Sequence, residues 1–306
     1  MKLLRIFAAA LALLLLTGCV KDGAGTDETP APSNGPTELP SEEPLAEATF
    51  RRAVLYYLSD EGYIVPVTKL IPWEEGIARA CLSYMTGSPE NDSFARSMGL
   101  KTVIPEGARL TLAIKDGVAL LDVSGAVFAD GAEELHMLEA AVNTLVEFPT
   151  VKAVTVTVDG SGGITDHGVQ LPVKSGAYPL NPEDGELATS AGACAATLYF
   201  PNDSGSLAVP VTRYMSGEPS VCNLAAALIS GTSLKGLRSC FPDNTLLLGA
   251  AIENGVLTVD LSDDFKKVSD VEGLYELAKE TLMLTIGERF DLESVRILVN
   301  GKEFGG

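Results

Sequence analysis

The chain repeats itself, and that repetition restricts its fold more than any other feature. Leu55-Tyr56-Tyr57-Leu58-Ser59-Asp60 returns as Leu198-Tyr199-Phe200-Pro201-Asn202-Asp203, and Val65-Pro66-Val67-Thr68-Lys69 returns as Val209-Pro210-Val211-Thr212-Arg213. Further matches follow in order: Gly87 with Gly231, Ile104-Pro105 with Phe241-Pro242, and Lys115-Asp116-Gly117-Val118 with Glu253-Asn254-Gly255-Val256. Leu121-Asp122-Val123-Ser124 then matches Val259-Asp260-Leu261-Ser262, Thr144-Leu145 matches Thr281-Leu282, and Val158-Asp159-Gly160 matches Val299-Asn300-Gly301. The offset drifts only between 137 and 144 residues. A collinear series of this kind is a duplication, so each copy of about 120 residues is expected to close its own core.

Each copy reads the same way. In the first, Ala53 to Leu58 and Tyr63 to Lys69 alternate apolar and polar or are β-branched, with Ser59-Asp60-Glu61-Gly62 as turn chemistry between them. Trp73 to Met85 has helical spacing and ends at Gly87; a loop is expected from Asn91 to Gly107. Arg109 to Ile114 and Val118 to Val123 flank an Asp-Gly turn, the strongest local hairpin signal. Ala132 to Phe148 reads as a long amphipathic helix with Leu135, Leu138, Val142, Leu145 and Val146 on one face, and Val151 to Val158 as a closing strand. The expected fold is α+β: two tandem ββαββαβ units, each with helices on one face of a mostly antiparallel sheet. The expected boundaries are 51–175 and 194–306, with a Gly- and Pro-rich linker over 176–193.

The N-terminus supplies an address. Lys2 and Arg5 precede an apolar run from Ile6 to Leu16, the layout of a secretory signal and too short for a comfortable membrane span. Leu16-Thr17-Gly18-Cys19 has the form of a bacterial lipobox: cleavage after Gly18 removes residues 1–18 and leaves Cys19 to carry diacylglycerol and palmitate-type acyl chains. Two or three chains on one residue give stable anchoring. Residues 19–50 are rich in Pro, Gly, Ser, Thr and Glu and read as a solvated tether. The expected location is the extracytoplasmic face of the cell membrane.

Forty-one acidic residues against 22 basic ones give a net charge of −19. Such a surface repels nucleic-acid backbones, so the expected partners are envelope proteins, with membrane association coming from the lipid. Beyond Cys19, the cysteines are Cys81, Cys194, Cys222 and Cys240, with no CxxC pair. They read mainly as core residues; Cys222 with Cys240 is the one disulfide worth testing.

Chemistry-bearing residues are sparse. His136 and His167 are the only histidines and neither recurs in the second copy; His136 reads as a surface or boundary residue and His167 as a loop hydrogen-bonder beside Asp166. Asp122 and Asp260 are repeated, and paired acids can cleave glycosidic bonds. With one per copy on equivalent strands, they read instead as strand-end carboxylates capping the next loop or helix. Asp263 and Asp264 lack further oxygens at calcium-loop spacing. Lys69 and Arg213 occupy equivalent positions, where pairing with the acidic strand end of their own copy is expected. No GxSxG and no phosphate-binding GxxxxGK[ST] occurs, so no catalytic residue, cofactor or metal is assigned.

The aromatic first strand, the Val-Pro-Val-Thr-[Lys/Arg] strand, Gly87/Gly231, the Asp-Gly-Val…Asp-Val-Ser hairpin and the Thr-Leu helix before a Val…Asp-Gly strand resemble the GerMN (germane) domain. The resemblance covers about 52–173 and 194–302. It implies a compact fold similar to the ring-building motifs of secretion systems, and a role in sporulation or germination at the envelope of an endospore-forming bacterium. It implies no enzyme activity. The second copy is shorter by about seven residues before Phe241-Pro242 and lacks the extension that follows Asp159-Gly160 in the first, so an interaction surface using the loop Ser88 to Gly99 or Ile164 to Val173 is expected on the first copy alone. The function expected is a lipid-anchored, non-enzymatic scaffold. A peptidoglycan-modifying hydrolase using Asp122 and Asp260, and a lipoprotein binding a small ligand between its domains, are the rivals.

Overall fold

The computed structural model describes residues 50–72, 76–183 and 190–305. The first repeat opens with strand β1 (Phe50–Ser59) paired antiparallel to β2 (Ile64–Pro72). Ser59 closes the turn, its amide donating to Tyr63 O at 2.8 Å, with Gly62 in the left-handed region. Helix α1 (Ile77–Tyr84) follows and is shorter than the sequence suggests; Trp73, Glu74 and Glu75 of the expected helix lie outside the described residues.

A second helix, α2 (Pro89–Ser97), stands where a loop was expected. Its signals are local: Ser88 caps it by accepting from Asn91 N, proline takes the first helical turn, Glu90 and Asp92 sit near the N-terminus and Arg96 near the C-terminus. The polar composition hid this helix because it buries little besides Ala95. It leads into β3 (Leu100–Lys101), which pairs with the end of β1.

Then β4 (Arg109–Lys115) turns into β5 (Val118–Ser124) through Asp116 and Gly117, with φ of 50° and 78°. Two successive left-handed residues match the twist of the flanking strands. Helix α3 (Gly131–Val146) is capped by Asp130, which accepts from the amides of Ala132 and Glu133. The helix carries the chain across to β6 (Ala153–Val158), which runs parallel to β5, and β7 (Val173–Ser175) completes the sheet in the order β4-β5-β6-β7.

The second repeat retraces this path. Its elements are β8 (Ala193–Pro201), β9 (Ala208–Ser216), α4 (Val221–Ile229), β10 (Leu247–Glu253), β11 (Val256–Leu261), a 3-10 helix (Asp263–Asp270), α5 (Leu274–Gly287), β12 (Ser294–Val299) and β13 (Lys302–Glu303). Strand β12 is parallel to β11, and Asn254-Gly255 repeats the left-handed turn. The α+β tandem architecture is therefore present. Within each repeat the strands form two sheets, a hairpin sheet and a four-stranded sheet with one parallel pair, separated by the long helix.

That placement explains how α3 is buried. Met137, Leu138, Ala140, Ala141, Val142, Asn143, Thr144 and Leu145 are all buried, while Leu135, assigned to the apolar face, is 39% exposed. A helix packed against β1 on one side and β6 on the other is covered over a wider arc than one apolar stripe. Burying one such Met or Leu side chain contributes about 1.5–3 kcal/mol.

The helix ends also correct one match of the repeat. Glu147 and Glu288 are the C-cap residues of α3 and α5, which makes Thr144 equivalent to Thr285 rather than Thr281. The slip is one helical turn, and residues four apart share a helix face, so the apolar pattern alone did not reveal it.

Candidate functional site

Asp122 and Asp260 close the same corner in their two repeats. Asp122 sits on β5, where its Oδ1 accepts from Thr157 Oγ1 at 2.6 Å and from Gly160 N at 2.8 Å, and its Oδ2 accepts from Ser124 Oγ. Asp260 on β11 accepts from Gly301 N at 2.9 Å. Gly160 and Gly301 belong to the left-handed turns Asp159-Gly160 and Asn300-Gly301 that follow β6 and β12. Each aspartate thus has the structural role expected of it but a different partner: it pins the turn that ends the neighbouring parallel strand, 38 and 41 residues away, and not the loop or helix that follows its own strand. Hydrogen bonds, foremost from Ser124 and then from Thr157 and Gly160, hold the Asp122 carboxyl below its ordinary value. A carboxylate stabilised in this way is poorly suited to donate a proton as a general acid.

A second repeated contact ties each hairpin to its long helix. Tyr56 of β1 donates from its hydroxyl to Glu147 Oε1 at 2.8 Å, and Tyr199 of β8 donates to Glu288 Oε1 at 2.6 Å. Both carboxylates follow the last turn of a helix, so the pair fixes the helix end over the hairpin.

Lys69 and Arg213 depart from expectation and from each other. Neither meets the acidic strand end of its own repeat. The Lys69 ammonium lies 3.5 Å from the Phe94 ring centroid and 5.0 Å from that of Tyr84, a cation-π seat supplied by α2 and α1. Arg213 on β9 instead forks Glu183, with Nε to Oε2 at 2.5 Å and Nη2 to Oε1 at 2.8 Å, and donates to the carbonyls of Ala227 and Gly231 at the end of α4. Thr232 donates to the same carboxylate at 2.5 Å. Burial pushes Glu183 up, but the hydrogen bonds from Arg213 and Thr232 outweigh it and hold the carboxyl below its ordinary range.

Glu183 comes from the segment read as a linker, whose first residues are held by both repeats. Asn181 Oδ1 accepts from Ile64 N at 2.8 Å, and its Nδ2 donates to Ile64 O at 2.8 Å and Pro210 O at 2.7 Å. One side chain therefore joins β2 of the first repeat to β9 of the second. Thr212 N donates to Leu180 O at 2.8 Å, Glu183 N to Thr212 O at 3.0 Å, and Tyr178 N to Asn143 Oδ1 at 2.7 Å on α3. Tyr63 adds a bond across the seam from its hydroxyl to Lys235 O at 2.7 Å. Residues 178–183 form a strap that satisfies the outer edges of both hairpins, because an unpaired strand edge must find partners.

The remaining candidates occupy ordinary positions. His136 is half-buried on α3, and burial lowers its pKa despite the neighbouring Asp130 and Glu133. His167 is exposed, with Nδ1 4.0 Å from Glu134 Oε2; the same oxygen accepts from Thr165 Oγ1 at 2.7 Å. Cys81 and Cys240 are buried, Cys194 is intermediate, and Cys222 is exposed, its Sγ 3.3 Å from Ala250 O. All four are free, so the Cys222–Cys240 disulfide is absent and the core reading fails for Cys222. Asp263 and Asp264 pair with Lys266 and Lys267 at 2.8 and 2.6 Å. Among the described residues no group of three or more His, Cys, Asp or Glu side chains is placed to hold a metal. Cys19 lies outside the described residues.

Two repeated hairpin-and-crossover units with structural aspartates at matching corners, joined by a strap, define a tandem α+β module protein. The Germane family, described as sporulation and spore germination, matches residues 54–162 and 197–304, and the chain belongs to it. The tandem GerMN domains of the sporulation protein GerM from Bacillus subtilis share the fold, with a TM-score of 0.61 and 22% identity over 83% of this chain and 92% of that one. The first GerMN domain of the same protein aligns at 22% identity over 42% of this chain and 97% of that one, with a TM-score of 0.38. No curated protein matches the chain.

Proposed function

We propose that the protein is a lipid-anchored, non-enzymatic scaffold or assembly factor serving sporulation or spore germination at the outer face of the cell membrane. The observation that carries this reading is the strap: Asn181 and Glu183 bind both repeats into one body, while Asp122 and Asp260 are used to hold turns. Two interaction modules held in fixed relation serve assembly better than turnover. Membership of a sporulation and germination family supports the biological setting, and the lipobox ending at Cys19 supports the location.

The test has two arms in the source cells. Labelled palmitate should enter the wild-type chain and be absent from Cys19→Ala; equal labelling of both would remove the anchor. A pull-down from sporulating cells should recover envelope proteins. Release of muropeptides from peptidoglycan by the purified chain, lost on Asp122→Asn or Asp260→Asn, would establish the hydrolase instead.

A further inference from the structure

The four-stranded sheet of the first repeat buries Ala119, Leu121, Val123, Val154 and Val156, so the alternate residues of β5 and β6 look outward. Strand register places Ala113, Leu120, Thr155 and Val173 in one row across that outer face, with Leu120 47% and Val173 73% exposed. Towards the β4–β5 turn the face is bordered by three exposed cations: Lys115 at the end of β4, Lys152 just before β6 and Lys174 on β7. None of the three is paired with a carboxylate among the described residues.

The second repeat has the same corner with the opposite charge. Glu253 stands at the position of Lys115 and Glu293 at that of Lys152, and both glutamates are exposed. The backbone is the same in the two corners: Lys152 N donates to Gly117 O and Glu293 N to Gly255 O, each at 2.7 Å, and each side chain lies against its turn glycine. The fold therefore accepts either sign here, and neither is needed to close a core. Counter-charges are fewer on both faces. Asp116 and Asp122 stand against Lys115, Lys152, Lys174 and Arg109 on the first, and Arg296 and Lys302 stand against Glu253, Glu293, Glu303 and Asp260 on the second. The first face is thus positive in a chain of net charge −19, and its duplicate is negative.

From these observations we infer that the outer sheet face of the first repeat docks on the outer sheet face of the second repeat of another copy of this chain. The contact brings Lys115 and Lys152 to the corner held by Glu253 and Glu293, and it takes Leu120 and Val173 out of water. Pairing of two like faces is opposed by their like charges, which fixes the arrangement as head to tail and lets it repeat from copy to copy. The inference goes beyond the scaffold reading above by naming the partner of one face, and it does not depend on the lipid anchor.

The experiment uses the chain from residue 19 with Cys19→Ser and no lipid, so its outcome is independent of acylation. Sedimentation velocity over a concentration series reads the state of assembly. The wild-type chain is expected to associate as its concentration rises in about 0.1 M sodium chloride and to remain monomeric in about 0.5 M. Lys115→Glu with Lys152→Glu, and separately Glu253→Lys with Glu293→Lys, should each weaken association at least roughly ten-fold with an unchanged circular dichroism spectrum. The second pair makes the chain less acidic, so general repulsion between acidic bodies would have it associate more tightly, whereas docking of the two faces requires it to associate less. An equimolar mixture of the two paired variants should recover association, because each offers the face that the other lacks. A wild-type chain that stays monomeric at the lower salt would overturn the proposal and leave the lysine face to a different acidic partner. Association that is unaffected by either pair, tightened by Glu253→Lys with Glu293→Lys, or not recovered in the mixture would overturn it equally.

Discussion

Glu183 grips Arg213 through both carboxylate oxygens, so a residue lying between the repeats in sequence becomes part of the second repeat's frame. The side chains are 11% and 21% exposed, which shields the pair from most of the screening that weakens surface ion pairs. Arg213 also carries the last carbonyls of α4, so it links β9, α4 and the strap at once.

Removing that link should be costly. Arg213→Ala leaves Glu183 with Thr232 as its remaining side-chain donor, and the expected loss is about 2 kcal/mol, in the range for hydrogen bonds to charged groups. Arg213→Lys should recover only part of it, because an ammonium lacks the planar fork. Urea unfolding of the three chains measures this directly.

Asn181→Ala should uncouple the repeats. It strips partners from Ile64 N, Ile64 O and Pro210 O together. The wild-type chain is expected to unfold in one transition and the variant in two separable ones, read by calorimetry. A single transition at an unchanged temperature would show that the strap does not join the repeats energetically.

Acid should weaken the protein in a defined window. Glu183 and Asp122 both have carboxyls held below their ordinary values, so each contributes stability that is fully present above the unfolded-state pKa of roughly 4. That contribution is lost as pH falls through the lower, folded-state values. The urea midpoint should be flat down to roughly pH 5 and decline below roughly pH 4. Glu183→Gln and Asp122→Asn should each flatten the decline.

The four cysteines beyond Cys19 should separate by reactivity. Burial raises the Cys81 thiol to about 12 and that of Cys240 to about 11, while Cys222 is exposed. Iodoacetamide on the native chain should modify Cys222 first and spare Cys81 and Cys240 until denaturant is added. Peptide mass mapping checks the order, and a mass consistent with a Cys222–Cys240 bridge would contradict the structure.

How much of this was legible in the sequence follows from the range of each interaction. Local signals are readable: Asp116-Gly117 and Asn254-Gly255 announce their hairpins. Repetition marks Asp122 and Asp260 as structural carboxylates, but their partners Gly160 and Gly301 are 38 and 41 residues away and are not the adjacent loop or helix that the sequence suggests. The strap is not readable, because Asn181 and Ile64 are 117 residues apart and nothing in Pro-Leu-Asn-Pro-Glu marks a long-range partner. Arg213 was singled out by repetition, yet its partner sits outside the repeat and could not be found by comparing the copies. Ser88-Pro89-Glu90 is a capping signal for helix α2, but the polar residues that follow it give no apolar periodicity to extend it.

The most direct measurement is heat-resistant spore counts in a strain lacking the gene and complemented with single variants. An anchored scaffold without catalysis requires that the chain carrying both Asp122→Asn and Asp260→Asn, if folded, restores spores, and that Cys19→Ala fails although its folded domains are intact. Full rescue by Cys19→Ala together with failure of the folded aspartate variant would contradict both the anchor and the absence of catalysis.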